Sequence, residues 1–200
     1  MESEASNLVP GDTNGDRDLF VKDLATGTVQ RISTDSNGGQ ADQNSLRGQW
    51  SPDGARIMFS SWASNLIPAD TNGASDVFVK TLASGALQRV STNASGSQAN
   101  GDSSESDWSP DGSKILIISD ASNLVPGDTN GAGDLFEKNL ASGATRRVST
   151  DASGNQADGQ THSGSWSPDG SKILINSDAS NLVPGDTNNA TDVFVKSSGE

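Results

Sequence analysis

Short apolar runs stand between long polar stretches along this chain, and the runs are too brief for helices. Arg56-Ile57-Met58-Phe59-Ser60 reads as a buried strand. Asp76-Val77-Phe78-Val79-Lys80-Thr81-Leu82 reads as another, with Val77, Val79 and Thr81 on one face. Leu87-Gln88-Arg89-Val90-Ser91-Thr92 alternates apolar and polar residues, as a half-buried strand does. Between them the turn chemistry is explicit. Pro52-Asp53-Gly54 presets φ at the proline and tolerates positive φ at the glycine, so the extended run Gly48–Trp50 folds back sharply. Ala83-Ser84-Gly85 makes a second short turn, whereas about 61–75 and about 93–106 form long polar loops.

This pattern repeats. Asp12, Asp70, Asp128 and Asp186 follow one another at a step of 58 residues, and Trp50, Trp108 and Trp166 keep the same step. The best-marked stretch runs from Ala121-Ser122-Asn123-Leu124 through Pro126 to Asp128-Thr129-Asn130 and Asp134-Leu135-Phe136. A fixed period of this size means stacked supersecondary units. Four short antiparallel strands per unit, here named A to D from the tryptophan strand outward, predict an all-β fold: a β-propeller built from four-stranded blades. The expected partition is a partial blade at 1–34, full blades at 48–92 and 107–150, and a partial blade at 165–196. That gives three A, three B, four C and three D strands. Propellers typically close with about four to eight blades, so three blade equivalents predict a ring completed by oligomerisation, six blades from two chains in a homodimer.

Ser109-Pro110-Asp111-Gly112-Ser113-Lys114-Ile115 and its copy from Ser167 to Ile173, with the closing Arg-Val-Ser-Thr run, resemble the blades of the TolB-like, PD40 (WD40-like) propeller family. The first full unit departs from the motif at Ala55-Arg56. The resemblance implies a propeller and an extracytoplasmic setting, secreted or periplasmic in a parent protein. It supplies no reaction, because function lives in sites grafted on a fold.

Composition narrows the partners. Hydrophobic residues make up 31% of the chain, so the core must come from few positions. A net charge of −13 repels nucleic acid and anionic membrane, and no apolar run reaches the length of a membrane span. Cysteine is absent, which excludes disulfides and thiolate metal sites. Met1-Glu2-Ser3-Glu4 leads into a repeat that has already begun, the pattern expected of a fragment cut inside the array.

Candidate chemistry sits in the B–C loops. They present Asp12, Asn14, Asp16 and Asp18; Asp70, Asn72 and Asp76; Asp128, Asn130 and Asp134; and Asp186, Asn188 and Asp192. Oxygen ligands at alternate positions of a tight loop suit calcium, although the bidentate glutamate of an EF-hand is missing. The neighbouring D–A loop, with Gln98, Asn100 and Asp102 or Gln156 and Asp158, could supply further ligands. The alternative is a purely structural loop in which Asp and Asn side chains bond their own backbone. Electrostatics favours a cation, since acidic loops gathered on one face repel each other.

Trp62 breaks the tryptophan period, because its repeat mates are Glu4, Asp120 and Asp178. It either covers a neighbouring blade or stacks on a glycan or protein ligand. The other three tryptophans read as packing between blades, and His162, the single histidine, as a surface residue. There is no nucleophile elbow, no phosphate-cradling glycine loop and no second histidine. The expected function is a non-enzymatic, self-associating scaffold with calcium-stabilised loops. The alternatives are a multivalent glycan- or protein-binding propeller, or the accessory propeller of a larger hydrolase.

Overall fold

Fourteen short strands and no helix make up the described residues, 1–199, of a computed structural model. They form four antiparallel sheets. The first contains β1 (Glu2–Ser3), β2 (Asp18–Lys22) and β3 (Val29–Arg31); the second contains β4 (Ser45–Trp50), β5 (Arg56–Ser61), β6 (Asp76–Thr81) and β7 (Leu87–Arg89). The third contains β8 (Ser103–Trp108), β9 (Lys114–Ser119), β10 (Asp134–Asn139) and β11 (Thr145–Arg147). The fourth contains β12 (Thr161–Trp166), β13 (Lys172–Ser177) and β14 (Asp192–Ser197). In every sheet consecutive strands are neighbours, the meander of a propeller blade. The sheets fall pairwise into two units, residues 1–90 and residues 91 onward.

Two expectations need correction. The A strands begin earlier than expected: β8 starts at Ser103 and β12 at Thr161. Ser103-Ser104-Glu105-Ser106-Asp107 carries no apolar alternation. It is a strand because it pairs along β9, with Ser103 and Glu105 buried and a register irregularity between Glu105 and Asp107. The strand count also changes. Glu2–Ser3 pairs with Leu19 and Asp18, so the first sheet holds a short B strand before its C and D strands.

The short turns behave as their sequence requires. In the Ser-Pro-Asp-Gly hairpin, Asp111 accepts the Ser109 hydroxyl at 2.6 Å and the Ser113 amide at 3.0 Å. Lys114 N donates back to Ser109 Oγ at 2.9 Å, and Gly112 takes φ +66° to close the turn. These contacts hold the Asp111 carboxyl down at a pKa of about 2, led by the Ser109 hydroxyl; Asp169 in the next blade sits at about 2 for the same reason, led by Ser167.

Each unit is held by an apolar core and by a buried lysine. In residues 1–90 the core gathers Leu19, Ile32, Ile57, Phe59, Leu66 and Phe78. In the second unit it gathers Leu116, Leu135, Val148, Ile173 and Ile175. Lys80 on β6 reaches back to the end of the first blade and donates to Thr34 O at 2.8 Å and Asp35 O at 2.8 Å. Lys138 on β10 makes the same reach to Thr92 O, Thr92 Oγ1 and Asn93 O, and also bonds Gly143 O and Thr145 Oγ1. Burial pulls the Lys138 pKa down to about 8. On β14, Lys196 repeats the reach to Thr150 and Asp151.

Candidate functional site

The Ala-Ser-Asn-Leu segment that opens each B–C loop is a clamp on the preceding D–A loop. Ala63 and Leu66 are buried, as are Ala121 with Leu124 and Ala179 with Leu182. The asparagine between them turns its amide onto backbone: Asn65 Nδ2 donates to Gln40 O, Asn123 Nδ2 to Gln98 O and Asn181 Nδ2 to Gln156 O, each at 2.8 Å. The D–A loop is thereby held beside the aspartates, and its glutamine reaches them.

At the third blade the aspartates converge on an arginine. Arg147, on β11, places Nη2 3.2 Å from Asp128 Oδ2 and Nε 3.2 Å from Asp134 Oδ2. Ser149 Oγ donates to Asp134 Oδ1 at 2.6 Å and accepts the Leu135 amide at 3.1 Å. Gln156 Nε2 bridges Asp128 Oδ1 at 2.9 Å and Asp134 Oδ2 at 3.3 Å. Asn130 Nδ2 donates to Ala157 O and to Asp134 Oδ2. Asp134 is fully buried, and burial pushes its carboxyl pKa upward against the pull of Ser149 and Arg147. So the loop before the C strand, the D strand and the loop after it are locked by one network.

The first blade repeats the arrangement. Arg31 lies 3.4 Å from Asp12 and 3.5 Å from Asp18, Ser33 donates to Asp18 at 2.5 Å, and Gln40 donates to both aspartates. In the second blade Arg89 Nη1 stands 3.3 Å from Asp70 and 3.0 Å from Asp76. Asn72 bonds Asp76, and the Ala74 amide caps Asn72. Asp16, the extra carboxylate of the first copy, donates its own amide to Asn14 Oδ1 at 3.1 Å.

The fourth copy differs. Asn188 Nδ2 still donates to Asp192 at 2.8 Å and Ala190 N to Asn188 Oδ1. Among the described residues no guanidinium approaches Asp186 or Asp192, and no D strand pairs with β14.

The structure brings together the aspartates and asparagines that the sequence singled out in the third loop, with Gln156 beside them. Sequence reasoning missed the arginine and the serine. The signal was present: Arg31, Arg89 and Arg147, and Ser33, Ser91 and Ser149, recur at the same step as the aspartates. The guanidinium also answers the mutual repulsion that had favoured a metal, since each complete loop carries its own cation. Among the described residues no three acidic or imidazole side chains gather closely enough to cage an ion.

The remaining candidates lie apart from this network. Trp62 follows β5 and is 40% exposed. His162 Nε2 stands 2.9 Å from Asp178 Oδ2 on the surface. The period tryptophans are not equivalent: Trp108 is buried, Trp166 lies under Lys114 Nζ at 5.7 Å, and Trp50 is 53% exposed.

Blade-like meanders repeated four times define a β-propeller array, and comparison with solved structures bears this out. The chain is similar to a putative TolB from Agrobacterium tumefaciens, with TM-score 0.57 and 19% identity over 89% of this chain and 50% of that one. It is also similar to the β-propeller domain of the Trilobed protease from Pyrococcus furiosus, described as having an open velcro topology, with TM-score 0.51 and 15% identity over 78% of this chain and 39% of that one. A prolyl endopeptidase matches with TM-score 0.56 and 16% identity over 92% of this chain and 25% of that one. The chain therefore spans half or less of the length of these structures. At such identities the likeness speaks for the fold. No protein-family model matches the sequence, and no curated protein matches it.

Proposed function

We propose that this chain is a non-enzymatic propeller scaffold that self-associates head to tail, two copies completing a ring of six blades, in an extracytoplasmic setting. One observation carries the reading. Leu174, Val193 and Val195 lie 44%, 61% and 63% exposed on the fourth blade. Their counterparts one repeat earlier, Leu116, Leu135 and Glu137, are buried, with the fourth blade following them. An apolar sheet face with an open edge strand is a template for association. Light scattering tests the reading: a mass of twice the 20.5 kDa chain is expected, and Val193→Lys should shift it toward one. The chain mass at every concentration would overturn it.

Calcium belongs to the proposal at the fourth loop of the unassociated chain, where Asp186, Asn188 and Asp192 have no guanidinium. The three complete loops carry their own. Titration calorimetry with calcium on the dilute, unassociated chain should then show about one site per chain rather than four, and association should compete with it. A second reading, a glycan- or protein-binding face, is favoured only by the exposed ring of Trp62. A glycan-array signal abolished by Trp62→Ala would support it.

A further inference from the structure

We infer that Asn37 is a site of covalent modification: its side chain cyclises onto the Gly38 nitrogen, sheds ammonia, and opens with water to aspartate or isoaspartate. The fold holds the other Asn-Gly pairs back from this step. At Asn37 the step also loosens the grip of Lys80 on the first blade.

An asparagine before glycine is the one most prone to cyclise, because a residue without a β-carbon leaves its backbone nitrogen open. The chain has five such pairs: Asn14-Gly15, Asn37-Gly38, Asn72-Gly73, Asn100-Gly101 and Asn130-Gly131. The dipeptide alone ranks them equally, and the fold separates them. Cyclisation requires the carboxamide to turn until Cγ meets the next nitrogen, with Nδ2 free to leave.

Four pairs are pinned against that turn. Asn14 Nδ2 donates to Ala41 O at 2.9 Å, and its Oδ1 accepts the Asp16 amide at 3.1 Å. Asn130 is held alike, by Ala157 O at 3.0 Å and the Ala132 amide at 3.1 Å. Asn72 donates to Asp76 and accepts the Ala74 amide. Asn100 Nδ2 donates to Ser122 Oγ at 3.1 Å, and its Oδ1 accepts the Ser122 amide at 2.9 Å. Gly101 is also crowded, since a β-carbon there would lie 3.1 Å from the Ala121 nitrogen.

Asn37 differs. It is exposed in the D–A loop, and among the described residues its carboxamide has no hydrogen-bond partner. Its backbone amide donates to Asp35 Oδ1 at 2.8 Å, which fixes the main chain and leaves the side chain free to rotate. The attacking Gly38 nitrogen has a long bond, 3.2 Å to Asp35 O. A β-carbon on Gly38 would meet nothing within 4 Å, so the ring forms in open space. The next two blades carry Ser95 and Ser153 at this position, and serine has no carboxamide to cyclise.

The step balances without a redox partner. Gly38 N–H gives its proton to solvent base, the N–Cγ bond forms, and Cγ–Nδ2 breaks as ammonia leaves. Water then adds to a ring carbonyl. Addition at the main-chain carbonyl gives isoaspartate, which routes the backbone through Cγ and lengthens it by one atom. The turn that receives this atom is tight: Asp35 N donates to Gly39 O at 2.8 Å and Gly39 N to Asp35 Oδ1 at 2.7 Å. The same turn presents Asp35 O to Lys80 Nζ at 2.8 Å. A longer backbone and a new carboxylate beside Asp35 open the turn and withdraw that acceptor.

Peptide mapping by mass spectrometry, after incubating the full chain in mildly alkaline buffer, reads all five sites as ammonia exchanged for water. In the folded chain, conversion at Asn37 should run about tenfold or more ahead of the other four. In denaturing urea the five rates should converge to within about twofold. Asn37→Ser should abolish the first acidic species seen on ion exchange. Folded-state conversion at Asn14, Asn72, Asn100 or Asn130 as fast as at Asn37 would overturn the inference, as would a ranking that survives urea. A converted fraction with the unfolding midpoint of the unconverted chain would overturn the link to Lys80.

Discussion

The third and fourth blades share nearly the same sequence through the B strand and the loop that follows it, yet their loops are in different states. In the third, Asp134 is buried, tied to Ser149, Gln156 and Arg147, and the loop behaves as part of the core. In the fourth, Asp192 is half-buried and bonded to Asn188. The difference lies in the D strand and not in the loop. An Asp-x-Asn-x-x-x-Asp segment is therefore half of a structure, and what it grips is decided by the strand that follows.

Removing the arginine from a complete loop should produce the largest effect. Arg147→Met leaves two buried carboxylates without their cation and should cost about 3–5 kcal/mol in denaturant unfolding. A cost below about 1 kcal/mol would mean the network is ornamental. Next comes the lysine buried at the end of the third blade's C strand. Lys138→Met strands five acceptor oxygens and should cost roughly 2–3 kcal/mol by the same measurement.

Packing between the third and fourth blades can be probed at Gly164. A β-carbon there would lie 2.4 Å from Leu135 Cδ2, whereas at Gly48 of the second blade it would lie 3.3 Å from Leu19 Cδ2. Gly164→Ala should cost about 1–3 kcal/mol and Gly48→Ala less than about 1 kcal/mol. Equal costs would show that Leu135 yields as easily as Leu19.

Acidification distinguishes the two kinds of aspartate with the smallest effect. The hairpin carboxyls Asp111 and Asp169 titrate near 2, below the ordinary 3.8, so their contribution is present above about pH 4 and lost as pH falls toward 2. Asp134 has the opposite sign: burial raises its pKa, so protonation on the way down relieves a cost. Asp111→Asn with Asp169→Asn should flatten the fall in Tm between pH 4 and 2. An unchanged pH profile would remove the hairpins from the acid response.

Much of the fold was legible in the sequence, for physical reasons that also explain the gaps. Lys172–Ser177 announces a strand because its buried positions alternate, and Asp76–Thr81 because its short apolar run is buried at consecutive positions. The Ser-Pro-Asp-Gly turn announces itself because its side chains close it locally. Ser103–Asp107 was hidden because a polar strand is specified by its neighbour and not by its own pattern. Glu2–Ser3 was hidden because two residues carry no period. The arginine partner was visible only as a recurrence, since nothing within Leu-Gln-Arg-Val-Ser-Thr says that its cation turns inward to two aspartates.

The central claim is that β14 is an unfinished edge that a second copy completes, and amide hydrogen exchange reads that edge directly. The amides of Val193, Val195 and Ser197, which face away from β13, should be protected at high protein concentration and lose protection on dilution, while those of Leu135, Glu137 and Asn139 stay protected throughout. Fast exchange at Val193, Val195 and Ser197 at every concentration would contradict the account.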